Sequence, residues 1–186
     1  MIISLTGFMG VGKSTIAGLL AKHLYCKLVD LDKLIEQEQG MAVSEIFSSK
    51  GELYFRKLEE ETLEKLINKN KEKILILSLG GGTLMSEANR IIISKNTYCI
   101  YLKASLELLT ERLMTHKGKR PVVENIDDEN FREEIRSLFE KRKPGYEAVA
   151  SIIIDVDRKS IRTLLLEIIS IFSGTDFSNP LDNNSL

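Results

Sequence analysis

With 186 residues, 43% of them hydrophobic and 28% charged, the chain can bury one real core, and two domains would be cramped. A net charge of −1 gives no overall basic field, which argues against nucleic acid as a partner, so any anion site must be built locally. No apolar run approaches the ~18 residues of a membrane span, and no basic leader precedes the first apolar stretch, so the chain reads as cytoplasmic with no membrane partner.

Taken in order, Ile2-Ile3-Ser4-Leu5-Thr6 is apolar and β-branched enough for a buried strand. From Thr15 to Leu24 the spacing of Ile16, Leu19, Leu20 and Leu24 predicts a helix. Between them lies Gly7-Phe8-Met9-Gly10-Val11-Gly12-Lys13-Ser14, the pattern G-x-x-x-x-G-K-[ST] in the strand–turn–helix context that gives it meaning. Its glycines let consecutive backbone N–H groups point at phosphate oxygens. Lys13 adds a compact charge for the β- and γ-phosphates, and the helix N-terminus adds its partial positive end. The Ser14 hydroxyl is placed to ligate Mg²⁺, with water and phosphate completing the octahedron. This is the signature of a nucleoside triphosphate site.

Lys27–Asp30 reads as a short strand, followed by a helix with Leu34, Ile35 and Glu36 as far as Gly40. Val43–Phe47 is a further short helical piece, punctuated by Gly51. Glu52–Asn68 carries an amphipathic stripe of Phe55, Leu58, Thr62, Leu63, Leu66 and Ile67. The run Lys73–Leu79 suits a central strand covered on both faces and ends in Gly80-Gly81-Gly82. A helix around Ser86–Ile93, a strand Thr97–Leu102 and a helix from Ser105 to about Met114 follow, with Ser105 as N-cap. The polar segment His116–Glu129, with Arg120-Pro121, suits a flap. A charged helix over Phe131–Lys143 is expected to stop at Pro144-Gly145. A strand Ser151–Val156 and a helix Arg158–Phe172 close the fold, and 174–186 reads as a disordered tail. Cys26 and Cys99 lack metal-site spacing and read as small buried residues in a reducing compartment. His23 is expected on a helix surface and His116 in solvent, neither with a catalytic role.

Five strands alternating with helices imply an α/β fold with a parallel sheet and helices on both faces. Ligands in such sheets lie at the carboxyl ends of the strands, and Thr6-Gly7, Asp30-Leu31-Asp32 and Gly80–Gly82 all fall there. Each of these residues also has a plainer reading. Of Asp30 and Asp32, one could hold Mg²⁺ through water while the other faces an acceptor; the plainer readings are Asp32 as the N-cap of the next helix and Asp30 as a solvated strand end. The triple glycine is either a ligand cradle or a flexible turn. Taken singly, Arg56 and Arg142 read as surface cations, although Glu59 is a plausible partner for Arg56.

The ordered set of motifs resembles the shikimate kinase family over Met1 to Phe172. The set comprises the GFMGVGKST loop, Asp30-Leu31-Asp32, Phe55-Arg56 with Glu59, Gly80–Gly82, Arg120-Pro121 and Arg142-x-Pro144-x-Tyr146. The resemblance implies a P-loop NTPase fold like the nucleoside monophosphate kinases, formed by one domain over 1–173. Within it a substrate-binding helical segment would span about 34–63 and a lid about 116–129. The implied activity is transfer of the ATP γ-phosphoryl group to the 3-hydroxyl of shikimate with Mg²⁺, by a protein expected to be monomeric. By position, Gly10, Val11, Gly12, Lys13, Ser14, Thr15, Arg112 and Arg120 would bind ATP, with Arg112 stacking on adenine. Arg56 and Arg142 would grip the shikimate carboxylate, while Asp32 and the Gly80-Gly81 backbone would hold its hydroxyls. Ser14 and, through water, Asp30 would carry the metal, and Asp32, Lys13 and Arg120 would be catalytic. Val122-Val123 in the lid and Gly145 depart from the usual pattern at positions that concern packing. The rivals are another small-metabolite or nucleotide kinase on this scaffold, and a non-catalytic nucleotide sensor.

Overall fold

The computed structural model describes residues 1–115 and 130–172. Five parallel strands form one sheet in the order β2-β3-β1-β4-β5. They are β1 (Ile2–Thr6), β2 (Lys27–Asp30), β3 (Leu75–Ser78), β4 (Tyr98–Lys103) and β5 (Ile152–Asp155). Every residue of β1 and β3 is buried, the mark of strands covered on both faces by helices. The helices are α1 (Lys13–His23), α2 (Leu31–Gln39), α3 (Val43–Lys50), α4 (Glu52–Lys69), α5 (Glu87–Asn96), α6 (Leu106–Thr115), α7 (Phe131–Val149) and α8 (Ile161–Ile171). No helix among the described residues is long and apolar enough to cross a membrane.

The strand order places the site. β3 lies between β1 and β2, and the register sets Leu5, Ser78 and Asp30 side by side across the sheet. The segments that leave these three strands therefore emerge next to one another at the carboxyl edge. They are the glycine loop, the triple glycine and the start of α2.

Several helices differ from their expected bounds, α3 running on to Lys50 and α5 to Asn96, and for two others the cause is plain. α7 does not stop at Pro144 but runs on to Val149. Proline removes one helical hydrogen bond, and here the buried side chains of Phe139, Tyr146 and Val149 hold the helix on either side of it. Gly145 serves packing: a Cβ there would come within 2.7 Å of the Leu84 carbonyl oxygen, so only glycine lets α7 lie against the 3₁₀ turn Thr83–Met85. α8 begins at Ile161 instead of Arg158, because Arg158 has φ 58° and the Ser160 hydroxyl caps the helix by accepting from Thr163 N–H at 3.1 Å. Ser105 does cap α6, accepting from Leu108 N–H at 3.3 Å. Cys99 is fully buried, which pushes its thiol up to about 11, whereas Cys26 is only half-buried at the edge of the core. His23 is exposed on α1. The expected lid, including Arg120, Val122, Val123 and His116, and the expected tail lie outside the described residues.

Candidate active site

The glycine loop is shaped by its surroundings. Gly7 passes so close to β4 that a Cβ would stand 2.5 Å from the Leu102 carbonyl oxygen. Gly12 starts α1 at φ 104°, a conformation open to glycine and strained for other residues. The first turn of α1 holds no acidic residue, so no side-chain charge there offsets the positive end of the helix. Lys13 folds back over the loop, donating from Nζ to the carbonyls of Gly7 at 2.8 Å and Phe8 at 3.1 Å. From α6, Arg112 donates to the carbonyls of Gly10 at 3.3 Å and Val11 at 3.2 Å, which puts its guanidinium against the loop. Val11 is buried in the core, while Ser14 and Thr15 at the helix start are exposed.

Beside the loop opens a cavity of about 830 Å³ lined by Lys13, Ser14, Asp30, Asp32, Arg56, Arg142 and all three glycines. The two aspartates divide the work that their spacing left undecided. Asp30 is the N-cap of α2, accepting from Lys33 N–H at 3.3 Å, so Asp32 is not needed as a cap and sits within the first turn. Burial, reinforced by the charges of Glu59 and Asp30, raises the Asp32 carboxyl to about 6 against the pull of Lys13 and Arg56.

Each glycine of the triple is set against a different polar side chain. A Cβ on Gly80 would lie 2.6 Å from Asp32 Oδ1, one on Gly81 would lie 3.5 Å from Arg142 Nη1, and one on Gly82 would lie 2.6 Å from Arg56 Nη2. None of the three has positive φ, so these glycines answer to close approach and not to turn geometry.

Arg56 is held by carboxylates on its own helix. Its Nη1 donates to Glu59 at 2.7 Å, and its Nε and Nη2 donate to a single oxygen of Glu52 at 3.3 and 3.2 Å. Burial opposes its charge, yet Glu59 and Glu52 outweigh that and keep its pKa above the ordinary arginine value. Glu59 is completely buried, and its other oxygen accepts from the Thr83 hydroxyl at 2.5 Å. Arg142 projects from α7 with its guanidinium carbon 5.8 Å from the centre of the Phe8 ring. Phe8 itself packs edge-on to Phe139 at 5.5 Å. The site thus sets two guanidinium groups, one carboxylate of raised pKa and a glycine-lined backbone beside a phosphate loop.

Comparison with known proteins gives this arrangement its class. A family model described as "Shikimate kinase" matches residues 9–173. The chain belongs to the shikimate kinase family. A shikimate kinase of Sulfurihydrogenibium is 38% identical over 168 residues, covering 90% of this chain and 95% of that protein. The crystal structure of the shikimate kinase of Bacteroides thetaiotaomicron superposes with a TM-score of 0.83 at 28% identity, covering 93% of this chain and 98% of that one. That of Acinetobacter baumannii, solved in complex with shikimate, gives 0.81 at 29% identity and covers 94% of both chains. As a shikimate kinase the chain is an ATP-dependent phosphotransferase of aromatic amino acid biosynthesis.

Some of the site is not marked in the sequence. Glu59 was expected only as a partner of Arg56, and its bond to Thr83, which fastens α4 to the turn after β3, had no signal in a run of three consecutive glutamates, Glu59 to Glu61. Tyr146 donates its hydroxyl to the Gly81 carbonyl from inside the core. A tyrosine at a helical core position gives no hint of that partner.

Proposed function

We propose that the cavity beside the glycine loop holds shikimate with its 3-hydroxyl facing the γ-phosphate of ATP, and that Asp32, Arg56 and Arg142 are its principal ligands. The observation that carries this reading is the contact of three consecutive glycines with Asp32, Arg142 and Arg56 in turn. A small, carboxylated polyol needs this combination: planar cations for its carboxylate, a carboxylate acceptor for a hydroxyl, and backbone bare of side chains against its ring.

The reaction then follows. The hydroxyl oxygen attacks phosphorus, the bond from phosphorus to the β-bridging oxygen breaks to release ADP, and the hydroxyl proton passes to Asp32. Little covalent help is needed, so placement and charge neutralisation dominate. Lys13 and the N–H groups of the loop hold the phosphates, with Gly10, Val11, Gly12, Ser14 and Thr15 as the remaining contacts. The position of Arg112 against the loop carbonyls supports a place at the nucleotide, and Arg120 is assigned to the transferring phosphoryl group from the motif alone.

The donors suit Mg²⁺: Ser14 offers a hydroxyl and Asp30 a carboxylate, and both line the cavity. Among the described residues no group of three or more Asp, Glu, His or Cys side chains could cage a metal, as befits an ion held mainly by phosphates and water. Ser14 and, through water, Asp30 would hold it, and when bound it offsets charge on the β- and γ-phosphates. We further assign residues 1–173 to one domain, working as a monomer in the cytoplasm.

A coupled assay of ADP release with MgATP tests the proposal, with shikimate, gluconate and nucleoside monophosphates as acceptors. Stimulation by shikimate alone is expected, and Arg56→Ala should raise the KM for shikimate roughly ten- to hundredfold with the KM for ATP nearly unchanged. Weakened ATP binding in that variant would remove Arg56 from the acceptor site. Stimulation by another acceptor would discard the carboxylate clamp.

A further inference from the structure

The carbonyls of the triple glycine are all tied back into the protein, but in two different ways. Gly80 accepts from Thr83 N–H at 3.2 Å and Gly82 from Met85 N–H at 3.0 Å, both bonds of the local turn. The Gly81 carbonyl between them has a side-chain partner, the hydroxyl of Tyr146 at 2.5 Å, reached across 65 residues of sequence.

A trans peptide points its N–H opposite its C=O, and none of the described peptide bonds is cis. Fixing the Gly80 and Gly81 carbonyls therefore aims the amides of Gly81 and Gly82. Neither amide donates to any described residue, although both glycines line the cavity. The peptide joining Gly81 to Gly82 has no Cβ on either side, so little besides its hydrogen bonds opposes its rotation. Tyr146 is well placed to oppose it: it is 1% exposed and packs at 5.4 Å from the ring of Tyr101. Burial holds its phenol far above the usual tyrosine value, so it stays a donor at any working pH.

We propose that Tyr146 is a positioning residue for the acceptor: its hydroxyl locks the Gly81-Gly82 peptide so that the glycine amides are presented to an oxygen of shikimate. It touches no substrate itself. The inference rests on the reading of the cavity as the shikimate site.

Tyr146→Phe removes the hydroxyl and keeps the ring. The expected result is a KM for shikimate raised about tenfold, with kcat and the KM for ATP within about twofold of the parent enzyme. A purely structural tyrosine would lower thermal stability and leave the KM for shikimate within about twofold, and that result overturns the proposal. Parallel weakening of both substrates overturns it too, because it denies the selective effect. Should the variant fail to fold, amide NMR of the parent enzyme decides: the Gly81 and Gly82 amide resonances must shift on adding shikimate, and unmoved resonances refute the assignment. A parent enzyme that shikimate does not stimulate refutes the underlying site instead. A responsive parent with an unaltered Phe variant removes only Tyr146.

Discussion

Asp32 occupies a position where its neighbours work against its charge, and the consequence can be measured in two ways. Its folded pKa of about 6 lies above the ordinary aspartate value of 3.8, so the folded chain binds this proton more tightly than the unfolded chain does. The sign follows: the proton's contribution to stability is fully present below about pH 4, falls as pH rises towards 6 and is gone above it. Asp32→Asn should therefore be more stable than the parent at pH 8, by about 1–3 kcal/mol, and the gain should vanish by about pH 4 in urea titrations. The same variant should lose roughly 10²- to 10⁴-fold in kcat while ATP still binds, since it keeps the shape and loses the proton acceptor. A variant no more stable at pH 8 would show that Asp32 is not strained by its surroundings. At this scale the sequence was half legible. The pair Asp30-x-Asp32 announced a carboxylate site, but that Asp30 and not the expected Asp32 caps α2 depended on the helix starting at Leu31, and helix ends are not fixed by side-chain spacing.

Helices report their neighbours as much as their own composition. The order and type of the elements could be read from apolar spacing, from the glycine loop to the final amphipathic helix. The end of α7 could not, because Pro144-Gly145 is a strong local stop and what overrides it is tertiary: Phe139 and Tyr146 buried on either side, and the Leu84 carbonyl waiting where a Cβ would go. Gly145→Ala tests this directly. It should cost about 1–3 kcal/mol through overpacking against backbone. Each kcal/mol should lower Tm by about 2–4 °C for a chain of this size. An unchanged Tm would mean that α7 can slide away from the turn without loss.

On the proposed reading, the molecule as a whole divides its ligands between two sets of elements, which also pack on one another through Phe8 and Phe139. In that proposal β1, α1 and α6 would serve the phosphates, while α2, α4, α7 and the loop after β3 would serve the acceptor. MgATP at a hundredfold excess over Kd should add about 2.7 kcal/mol, roughly 5–11 °C in a thermal melt. Lys13→Ala should abolish that shift, whereas Asp32→Asn should keep it. Loss of the shift in both variants would mean that the two halves do not bind independently. The glycine loop, the paired aspartates and the triple glycine each told of a ligand. That they share one edge followed from the rule for parallel sheets, but the order in which the strands lie had no signal, because nothing in β1 names β3 as its neighbour.

That order also governs how the protein can be made. β1 and β2 leave the ribosome first, yet they never pair with each other: each waits for β3, which ends at Ser78. A nascent chain with only its first 70 residues free therefore holds the complete glycine loop and the whole run from α1 to α4 but cannot form a single strand pair. The native pairs β1–β3 and β2–β3 become possible only once Leu75–Ser78 is available to both strands. Until then the apolar edges of β1 and β2 are exposed together, and this early interval is when the chain is most open to aggregation or to a chaperone.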